Sequence, residues 1–301
     1  MIACDLGSNT LRVVQFDCVS QQRIQTFERI IRTAKDLHRT GNISVESQER
    51  LFHALQEASL VFDFRHEPCF AVTTEAMRQA SNAQAIIDAV YERFGVHFEI
   101  ISGEEEAHLT ALAVEHALRR EGLDASSYVL FDLGGGSTEL TFNHSDKKIS
   151  KSFPFGIVST AEQLQGEMPA FIEKQVSSMD DFIATFKPIE ATYHQLVTTA
   201  GTPTTVAAFL EGLDYEHYDA NVVNGKSLSQ KDFLGAYEAL MGMEPLEAEC
   251  YTGTNRRDLV MAGILLVVEI MKKLGFESTI VIDDGLREGV AISNCNRLKL
   301  L

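Results

Sequence analysis

Two glycine-rich segments share an order of residues that suits phosphate binding. One spans residues 5–10, the other spans residues 132–138, and each follows a short apolar run. In such turns, successive backbone N–H groups can surround phosphate oxygens, and side-chain hydroxyls add donors. The candidate phosphate ligands are Gly7, Ser8, Asn9 and Thr10 in the first turn, and Gly134, Gly135, Gly136, Ser137 and Thr138 in the second.

An aspartate opens each turn at the same position. Asp5 and Asp132 each end an apolar run, where a carboxylate can carry Mg²⁺, usually through water. Either turn alone is more readily explained as an ordinary hairpin connector. Two matched turns favour phosphate and metal binding instead. The sequence contains neither the G-x-x-x-x-G-K-[ST] loop nor the dinucleotide-binding G-x-G-x-x-G pattern.

A third small-residue segment follows a predicted strand at 196–200 and opens a helix. Its candidate phosphate ligands are Gly201 and Thr202, at a helix N-terminus. The alternative is that small residues there only let a helix and a strand approach closely.

Three consecutive glutamates, 104–106, head a predicted helix that continues over 107–120. They have two explanations. Ser102 and Glu105 fit a capping box, and carboxylates in a first helical turn complement its positive end. Alternatively, one glutamate is a base that activates water.

Strand and helix signals alternate along the rest of the chain. Strands are predicted at 68–72, 97–101, 196–200 and 278–282, and helices at 83–94 and 258–274. Asp258 is the predicted N-cap of the last helix, and Gly275 its end. We predict an α/β fold of two similar lobes with a cleft between them, divided into residues 1–122 and 123–301. A C-terminal helix at about 284–301 has the first lobe as one candidate partner.

Charge and cysteine usage restrict the partners and the compartment. Lys and Arg total 26 against 43 Asp and Glu, a net charge of −17, so we expect neither nucleic acid nor membrane as a partner. No apolar stretch reaches the ~20 residues that span a bilayer, and no signal peptide is visible. The five scattered cysteines predict reduced thiols and a cytoplasmic location.

Six motifs, in this order, resemble the exopolyphosphatase and guanosine pentaphosphate phosphatase (Ppx/GppA) family. They are D-L-G-S-N, T-x-x-x-R-Q-A, I-S-G-x-E-E-A, D-L-G-G-G-S-T-E-L, A-G-T-x-T-T and D-G-L-R-E-G, at residues 5–9, 74–80, 101–107, 132–140, 200–205 and 284–289. The glycine turns alone also fit sugar kinases, actin and heat-shock chaperones. The acidic motif and the G-L-R-E-G ending are much more specific, and the resemblance runs from residue 2 to about 290.

The resemblance implies duplicated, ribonuclease-H-like and actin-like lobes. It also implies Mg²⁺-dependent removal of the terminal phosphate from inorganic polyphosphate or guanosine pentaphosphate. The family's catalytic glutamate corresponds to Glu106, which leaves Glu105 to the helix cap. Arg78 matches the arginine that holds a substrate phosphate, although a surface salt bridge is its ordinary alternative role.

Further acids and two departures follow from the same resemblance. Asp132 and Glu139 match acids that orient metal or water, and Asp5 matches the first-turn acid. His108 stands where many relatives carry arginine, which implies a weaker or pH-dependent phosphate contact; a passive surface histidine is the alternative. We also expect none of the C-terminal helical modules that longer relatives use to hold long polyphosphate.

Two rival functions stay open at this point. One is a nucleotide-dependent kinase or chaperone of the same fold, which would need an acceptor or a peptide-binding domain. The other is a non-catalytic sensor of polyphosphate or an alarmone. A homodimer with a basic groove also stays open, and either Arg256 or Arg257 is a further candidate to offset substrate charge.

Overall fold

The computed structural model describes residues 1–145, 147–163 and 168–298. They form two compact units, one of residues 1–113 with the chain from Asp284 onward, the other of residues 114–283. We expected the division at 122/123, whereas the units divide inside the helix Gly103–Arg120. The expected C-terminal helix is present as Leu286–Leu298 and belongs to the first unit.

The first unit has a five-stranded sheet in the order β3-β2-β1-β4-β5. Its strands are β1 (Ile2–Leu6), β2 (Thr10–Asp17), β3 (Gln22–Ile30), β4 (Cys69–Thr73) and β5 (Phe98–Ile100). Its helices are α1 (Leu37–Thr40), α2 (Val45–Ala58), α3 (Glu75–Gln79), α4 (Ala83–Phe94), α5 (Gly103–Arg120, which continues into the second unit) and the C-terminal helix. The hairpin β1–β2–β3 is antiparallel, whereas β1, β4 and β5 are parallel.

The second unit has a six-stranded sheet in the order β10-β11-β9-β6-β7-β8. Its strands are β6 (Ser127–Leu133), β7 (Thr138–His144), β8 (Lys147–Phe153), β9 (Leu196–Thr199), β10 (Lys226–Ser229) and β11 (Ser278–Val281). Its helices are α6 (Ile157–Gln163), α7 (Met168–Val176), α8 (Asp180–Ala184), α9 (Ile189–Thr192), α10 (Gly201–Leu210), α11 (Ala220–Val223), α12 (Gln230–Gly242), α13 (Pro245–Thr252) and α14 (Arg257–Leu274), with a 3₁₀ turn at Ser177–Met179.

The two sheets repeat one topology. In each, an antiparallel three-stranded meander (β1–β2–β3 or β6–β7–β8) continues through its first strand into parallel partners, β4 and β5 or β9 and β11. The second sheet adds β10 antiparallel to β11. Each first strand leads through a glycine turn into its hairpin partner. The predicted duplicated α/β fold is therefore confirmed, and the predicted strands appear within one or two residues of their expected limits.

The first sheet is covered on both faces. One face packs against residues of α2 and α4, and the other against the C-terminal helix, whose buried residues include Val290, Ala291 and Ile292. Gly289 lies against α5: a β-carbon there would approach the Leu109 carbonyl oxygen to 2.0 Å. Only glycine allows the C-terminal helix and α5 to approach this closely.

A disulfide corrects the expectation that all cysteines are reduced. Cys18 and Cys295 are bonded across 277 positions of sequence, with 5.2 Å between their α-carbons. The C-terminal helix packs on β1 and β2, which brings these distant residues together. Cys4, Cys69 and Cys250 are free thiols.

The observed ends of two helices can be compared with the start and stop residues predicted from the sequence. Helix α4 has the predicted limits, and Gly275 ends α14 in the left-handed conformation, as predicted. The predicted N-cap of α14 is wrong: the cap is Arg256, and Asp258 lies inside the first turn, where its charge still complements the helix end. Within 1–145, 147–163 and 168–298, no helix combines the length and apolar character needed to cross a membrane.

Candidate functional site

Three segments of the first unit follow the carboxyl ends of neighbouring parallel strands. The first glycine turn follows β1, the helix with Arg78 follows β4, and the helix with Glu106 follows β5. Cross-strand hydrogen bonds join these ends: Thr73 Oγ1 donates to the Leu6 carbonyl (2.7 Å), and the Ile101 N–H donates to the Thr73 carbonyl (3.1 Å). Carboxyl ends of adjacent parallel strands share one sheet edge, where ligands of open α/β sheets bind.

Arg78 and Glu106 form an ion pair at this edge. The Nη1 and Nη2 atoms of Arg78 donate to Glu106 Oε2 at 3.1 and 3.0 Å. Glu106 is only 8% exposed, so the arginine supplies positive charge to a largely desolvated carboxylate. Burial alone would lower the pKa of Arg78, but the charges of Glu106 and Glu75 outweigh it and raise that pKa.

The other contacts of Arg78 are also with protein oxygens. Nε donates to Glu75 Oε2 at 2.9 Å, and Nη1 donates to the Ile101 carbonyl at 2.6 Å. Glu75 in turn accepts a short hydrogen bond from Gln79. All three guanidinium nitrogens of Arg78 therefore contact protein oxygens, and the arginine is fixed between two carboxylates.

The three glutamates at the start of α5 differ in exposure: Glu104 and Glu105 are exposed, whereas Glu106 is buried. The Glu105 N–H donates to Ser102 Oγ at 3.1 Å, which is the predicted helix cap, and the Glu105 side chain is exposed. Glu106 is buried and faces Arg78. His108 is exposed on the next turn. Successive helical residues point about 100° apart, which explains how neighbours can serve a cap and a site.

The first glycine turn is closed by one hydrogen bond, from the Gly7 N–H to the Thr10 carbonyl at 2.9 Å. The segment after β3 donates to all three remaining turn carbonyls: Thr33 Oγ1 to Gly7, the Ala34 N–H to Ser8, and the Ile31 and Arg32 N–H groups to Asn9. In the described part of the chain, the N–H groups of Ser8 and Asn9 donate to no protein acceptor. The turn thus has its carbonyls bound and N–H groups available to an anion.

The second glycine turn repeats this arrangement. The Gly134 N–H donates to the Ser137 carbonyl at 3.0 Å. The start of α6 supports the turn: Ile157 N–H donates to the Gly134 carbonyl, and the Val158 and Ser159 N–H groups donate to that of Gly135. A β-carbon on Gly156 would come within 2.4 Å of the Gly134 oxygen. Thr138 Oγ1 donates to the Phe155 carbonyl at 2.7 Å, so this predicted phosphate ligand faces the protein.

The acids near the turns occupy matched register positions. Asp132 lies opposite Glu139 across β6 and β7, whereas Asp5 lies opposite Arg12 across β1 and β2. Glu139 is buried and accepts a hydrogen bond from Ser152 Oγ at 2.7 Å. Carboxylate oxygens are the ligands that Mg²⁺ prefers, and Mg²⁺ commonly uses one or two of them with water and phosphate. The Asp132–Glu139 pair fits that donor set, although no group of three or more potential metal ligands occurs within the described ranges.

Arg12 is a site-edge residue that the sequence analysis did not single out. Its Nε donates to Glu28 Oε2 at 3.0 Å, and it occupies the register position that Glu139 has in the second unit. An alignment of the two turns that extended past their glycines would have placed Arg12 opposite Glu139 and so identified it from the sequence.

The third segment follows β9, the parallel neighbour of β6. Ala200 has φ 82° and ψ 178°, a conformation that is essentially restricted to glycine. Thr202 is fully buried, and its hydroxyl lies where a β-carbon on Gly263 would approach it to 2.1 Å. Among the described residues it has no hydrogen-bond partner. The Thr202 side chain therefore packs toward α14, and close helix packing accounts for its small neighbour.

Arg256 and Arg257 have different environments. Arg257 Nη2 donates to the carbonyls of Leu240 and Met241, at 3.2 Å each, and so supports the end of α12. Arg256 is 4% exposed, and its guanidinium lies 5.5 Å from the ring centre of Tyr215. Of the two arginines, Arg256 is the better candidate for an anion contact.

The family model for Ppx/GppA phosphatases matches residues 13–298. Over 97% of both chains, the sequence is 25% identical to exopolyphosphatase 2 of Mycobacterium tuberculosis. It is 26% identical to the guanosine-5'-triphosphate,3'-diphosphate pyrophosphatase of Photobacterium profundum, of which it covers 59%. The crystal structure of the Aquifex aeolicus Ppx/GppA family member superimposes with a TM-score of 0.76 at 26% identity, over 99% of this chain and 97% of that one.

Proposed function

Because the chain belongs to the Ppx/GppA phosphatase family, we propose that it removes the terminal phosphate of inorganic polyphosphate or of guanosine pentaphosphate. Hydrolysis of phosphoanhydride bonds is the activity that the names of its relatives share. The observation that carries the proposal is the buried Glu106 carboxylate, held by Arg78 at the sheet edge beside the first glycine turn.

Glu106 is the proposed base. Arg78 contacts Oε2, and in our proposal Oε1 accepts a proton from the attacking water. The water oxygen then bonds to the terminal phosphorus as the bond to the bridging oxygen breaks. The products are inorganic phosphate and a substrate shortened by one phosphate. Phosphoryl transfer of this kind depends on positioning and charge neutralisation more than on covalent chemistry.

The contacts of Arg78 favour a different role from the one that the resemblance implies. An arginine whose three nitrogens already contact protein oxygens is poorly placed to hold a substrate phosphate as well. We propose instead that Arg78 is a positioning residue that orients Glu106. In this proposal the N–H groups of the glycine turns bind the substrate phosphates, and Arg256 is a further donor.

Mg²⁺ is the proposed cofactor, held by Asp132 and Glu139, with Asp5 as the acid of the first turn. When bound, it neutralises charge on phosphate oxygens. Asp132 and Glu139 are one register step from the second glycine turn, so metal and phosphate ligands would come from adjacent residues. Ser152 fixes the Glu139 carboxylate from the neighbouring strand.

Phosphate release tests the function directly. Purified protein with Mg²⁺ is given tripolyphosphate, long polyphosphate and guanosine pentaphosphate in parallel. We expect turnover, and a loss of roughly 10²–10⁴-fold in kcat for Glu106→Gln, because the amide keeps the shape but cannot accept the proton. Glu105→Gln, at an exposed neighbouring position, is the matched control. Binding of these substrates without turnover would identify a sensor, and phosphate transfer to an added acceptor would identify a kinase.

The proposed compartment is the cytoplasm, which the odd number of scattered cysteines without a C-x-x-C pair led us to expect. The Cys18–Cys295 disulfide opposes this assignment, since disulfides rarely persist in that compartment. Alkylation of thiols at the moment of cell lysis, followed by mass measurement, decides between five reduced cysteines and three.

A further inference from the structure

Asn9 lies in the first glycine turn, and its backbone is held from one side. The Asn9 carbonyl accepts the N–H groups of Ile31 and Arg32, at 2.7 and 2.9 Å. These two hydrogen bonds fix the residue without using its side chain. The sequence analysis assigned Asn9 to phosphate as a whole residue, whereas its backbone N–H and its side-chain amide are separate groups that can bind different partners.

The side-chain oxygen of Asn9 is a buried acceptor that receives no hydrogen bond. Asn9 is only 7% exposed, and among the described residues no group donates to its Oδ1. Burial of an acceptor without a donor is unfavourable, so each such atom in a native fold requires an explanation. At the edge of a proposed active site, a partner supplied by the bound ligand is one such explanation.

Other buried or half-buried asparagines have a contact that accounts for their side chains. Asn82 and Asn224 each accept a backbone N–H at Oδ1, at 2.9 and 2.7 Å. Asn143 Oδ1 also lacks a donor in the described part of the chain, but its Nδ2 donates to a backbone carbonyl at 3.2 Å, and that bond orients the amide. Asn9 therefore differs from these residues by its place in the glycine turn and by its unmatched oxygen.

The chemistry of the unmatched atom excludes a phosphate oxygen as its partner. Ionised phosphate oxygens are acceptors, and so is an amide oxygen, whereas a divalent cation or the water bound to it matches an acceptor. An acid lies beside the same turn: a β-carbon on Gly7 would be 3.9 Å from Asp5 Oδ1. Carboxylate and carbonyl oxygens, together with water, are the ligands that suit Mg²⁺ and Mn²⁺.

We propose that the Asn9 side-chain oxygen binds the divalent cation, directly or through one of its waters, while the Asn9 N–H donates to a phosphate. The inference rests on the proposed function and adds a residue to its metal site. Mg²⁺ in phosphoryl-transfer sites is commonly held by one or two carboxylates together with substrate phosphates. A residue with one group for each partner suits a cation and a phosphate that bind together.

An isosteric change of charge tests this assignment without any turnover. Asn9→Asp keeps the shape of the side chain and replaces a neutral oxygen ligand by a charged one. Paramagnetic resonance of free Mn²⁺ gives the Kd of the phosphate-free protein, measured at pH 8 to favour the ionised carboxylate. We expect this Kd to fall about tenfold in Asn9→Asp and to rise about three- to tenfold in Asn9→Ala. Asn42→Asp adds the same charge at an exposed position of the same unit and should leave the Kd unchanged.

The outcomes separate this inference from the proposed function. A Kd for Mn²⁺ that is unchanged or raised in Asn9→Asp would overturn the role of Asn9, even if the wild-type protein hydrolyses polyphosphate. Absence of Mn²⁺ binding to the wild-type protein would overturn it as well. An equal fall in Asn42→Asp would show that only net charge matters, with the same consequence. Tighter Mn²⁺ binding confined to Asn9→Asp, in a protein that shows no turnover, would support the cation site and contradict the hydrolase proposal.

Discussion

Arg78 Nη2 lies 3.0 Å from Glu106 Oε2, although the two residues are 28 positions apart in the sequence. Parallel strands β4 and β5 bring them together, because each residue lies in the helix that follows one of these strands. The pair is therefore a property of the sheet topology.

Replacement of the arginine tests whether it positions the base. The attraction that raises the pKa of Arg78 equally favours the ionised form of Glu106. In Arg78→Gln that attraction is lost, so protonation of the carboxylate persists to higher pH and the acidic limb of the pH–kcat profile should move upward. We expect kcat to fall up to about 10²-fold with little change in KM, because the base loses its orientation.

The opposite kinetic pattern would contradict this assignment. A large rise in KM with kcat and the pH profile unchanged would show that Arg78 holds a substrate phosphate, as the resemblance implies. Arg119→Gln is the control, since it removes an arginine that is 66% exposed at the end of α5, the helix that carries Glu106.

Loss of Asp132 should weaken Mg²⁺ binding, which a titration of the metal can measure. Asp132→Asn removes one charge from the proposed Mg²⁺ ligands, so a higher Mg²⁺ concentration should be needed for half-maximal rate. Asp5→Asn should shift the same curve if the first-turn acid serves the same ion. Titration of Mg²⁺ at saturating substrate gives both values, with exposed Asp181→Asn as the control. Unchanged curves in both variants would eliminate the proposed metal site.

The strained Ala200 predicts a stabilising substitution. Its backbone conformation costs an alanine of order 1–3 kcal/mol, which glycine avoids, while glycine loses roughly 0.5–1 kcal/mol in chain entropy. We therefore expect Ala200→Gly to raise the free energy of unfolding by about 1 kcal/mol, seen as a higher Tm in calorimetry. Ala208→Gly, within helix α10, should lower it by a similar amount. A lower Tm for Ala200→Gly would show that the alanine side chain contributes packing that outweighs the strain.

Local patterns predicted much of the fold. The two strand–turn–strand units, the limits of helix α4 and the Ser102–Glu105 cap each depend on residues a few positions apart, which the sequence displays directly. The prediction that Asp258 is the N-cap of α14 was wrong, since the cap is Arg256. Arg256 packs against Tyr215, and a tertiary contact of this kind is not visible in the local sequence.

Long-range pairings were beyond the same reasoning. Cys18 and Cys295 meet because the C-terminal helix packs on the first sheet, and nothing within either segment encodes the other. The contact of Arg78 with Ile101 and Glu106 likewise joins the segments that follow two different strands, β4 and β5. The sequence singled out Arg78 and Glu106 separately through their motifs, while their contact required the strand order. Whether the selected residues carry the chemistry stays a prediction.

Polyphosphate length gives the last prediction. A long polyphosphate carries about one negative charge per phosphate, and the net charge of −17 opposes its approach along any extended path. Many basic side chains already pair with carboxylates: Arg12 with Glu28, Arg23 with Asp284, Arg29 with Glu57, and Lys273 with Asp180. The backbone N–H groups of the glycine turns are the concentrated donors that we assign to the terminal phosphates.

We therefore expect the protein to recognise a few terminal phosphates and to release long chains between cuts. Gel analysis of a long-chain digestion measures this, since release between cuts shortens the whole population gradually. Full-length chains persisting beside free phosphate, without intermediates, would instead show processive hydrolysis. That result would require an extended basic path, for which a groove assembled by dimerisation is the available explanation. Repeating the digestion at several protein concentrations tests it, because a dimer-dependent path loses its processivity on dilution below the dissociation constant of the dimer.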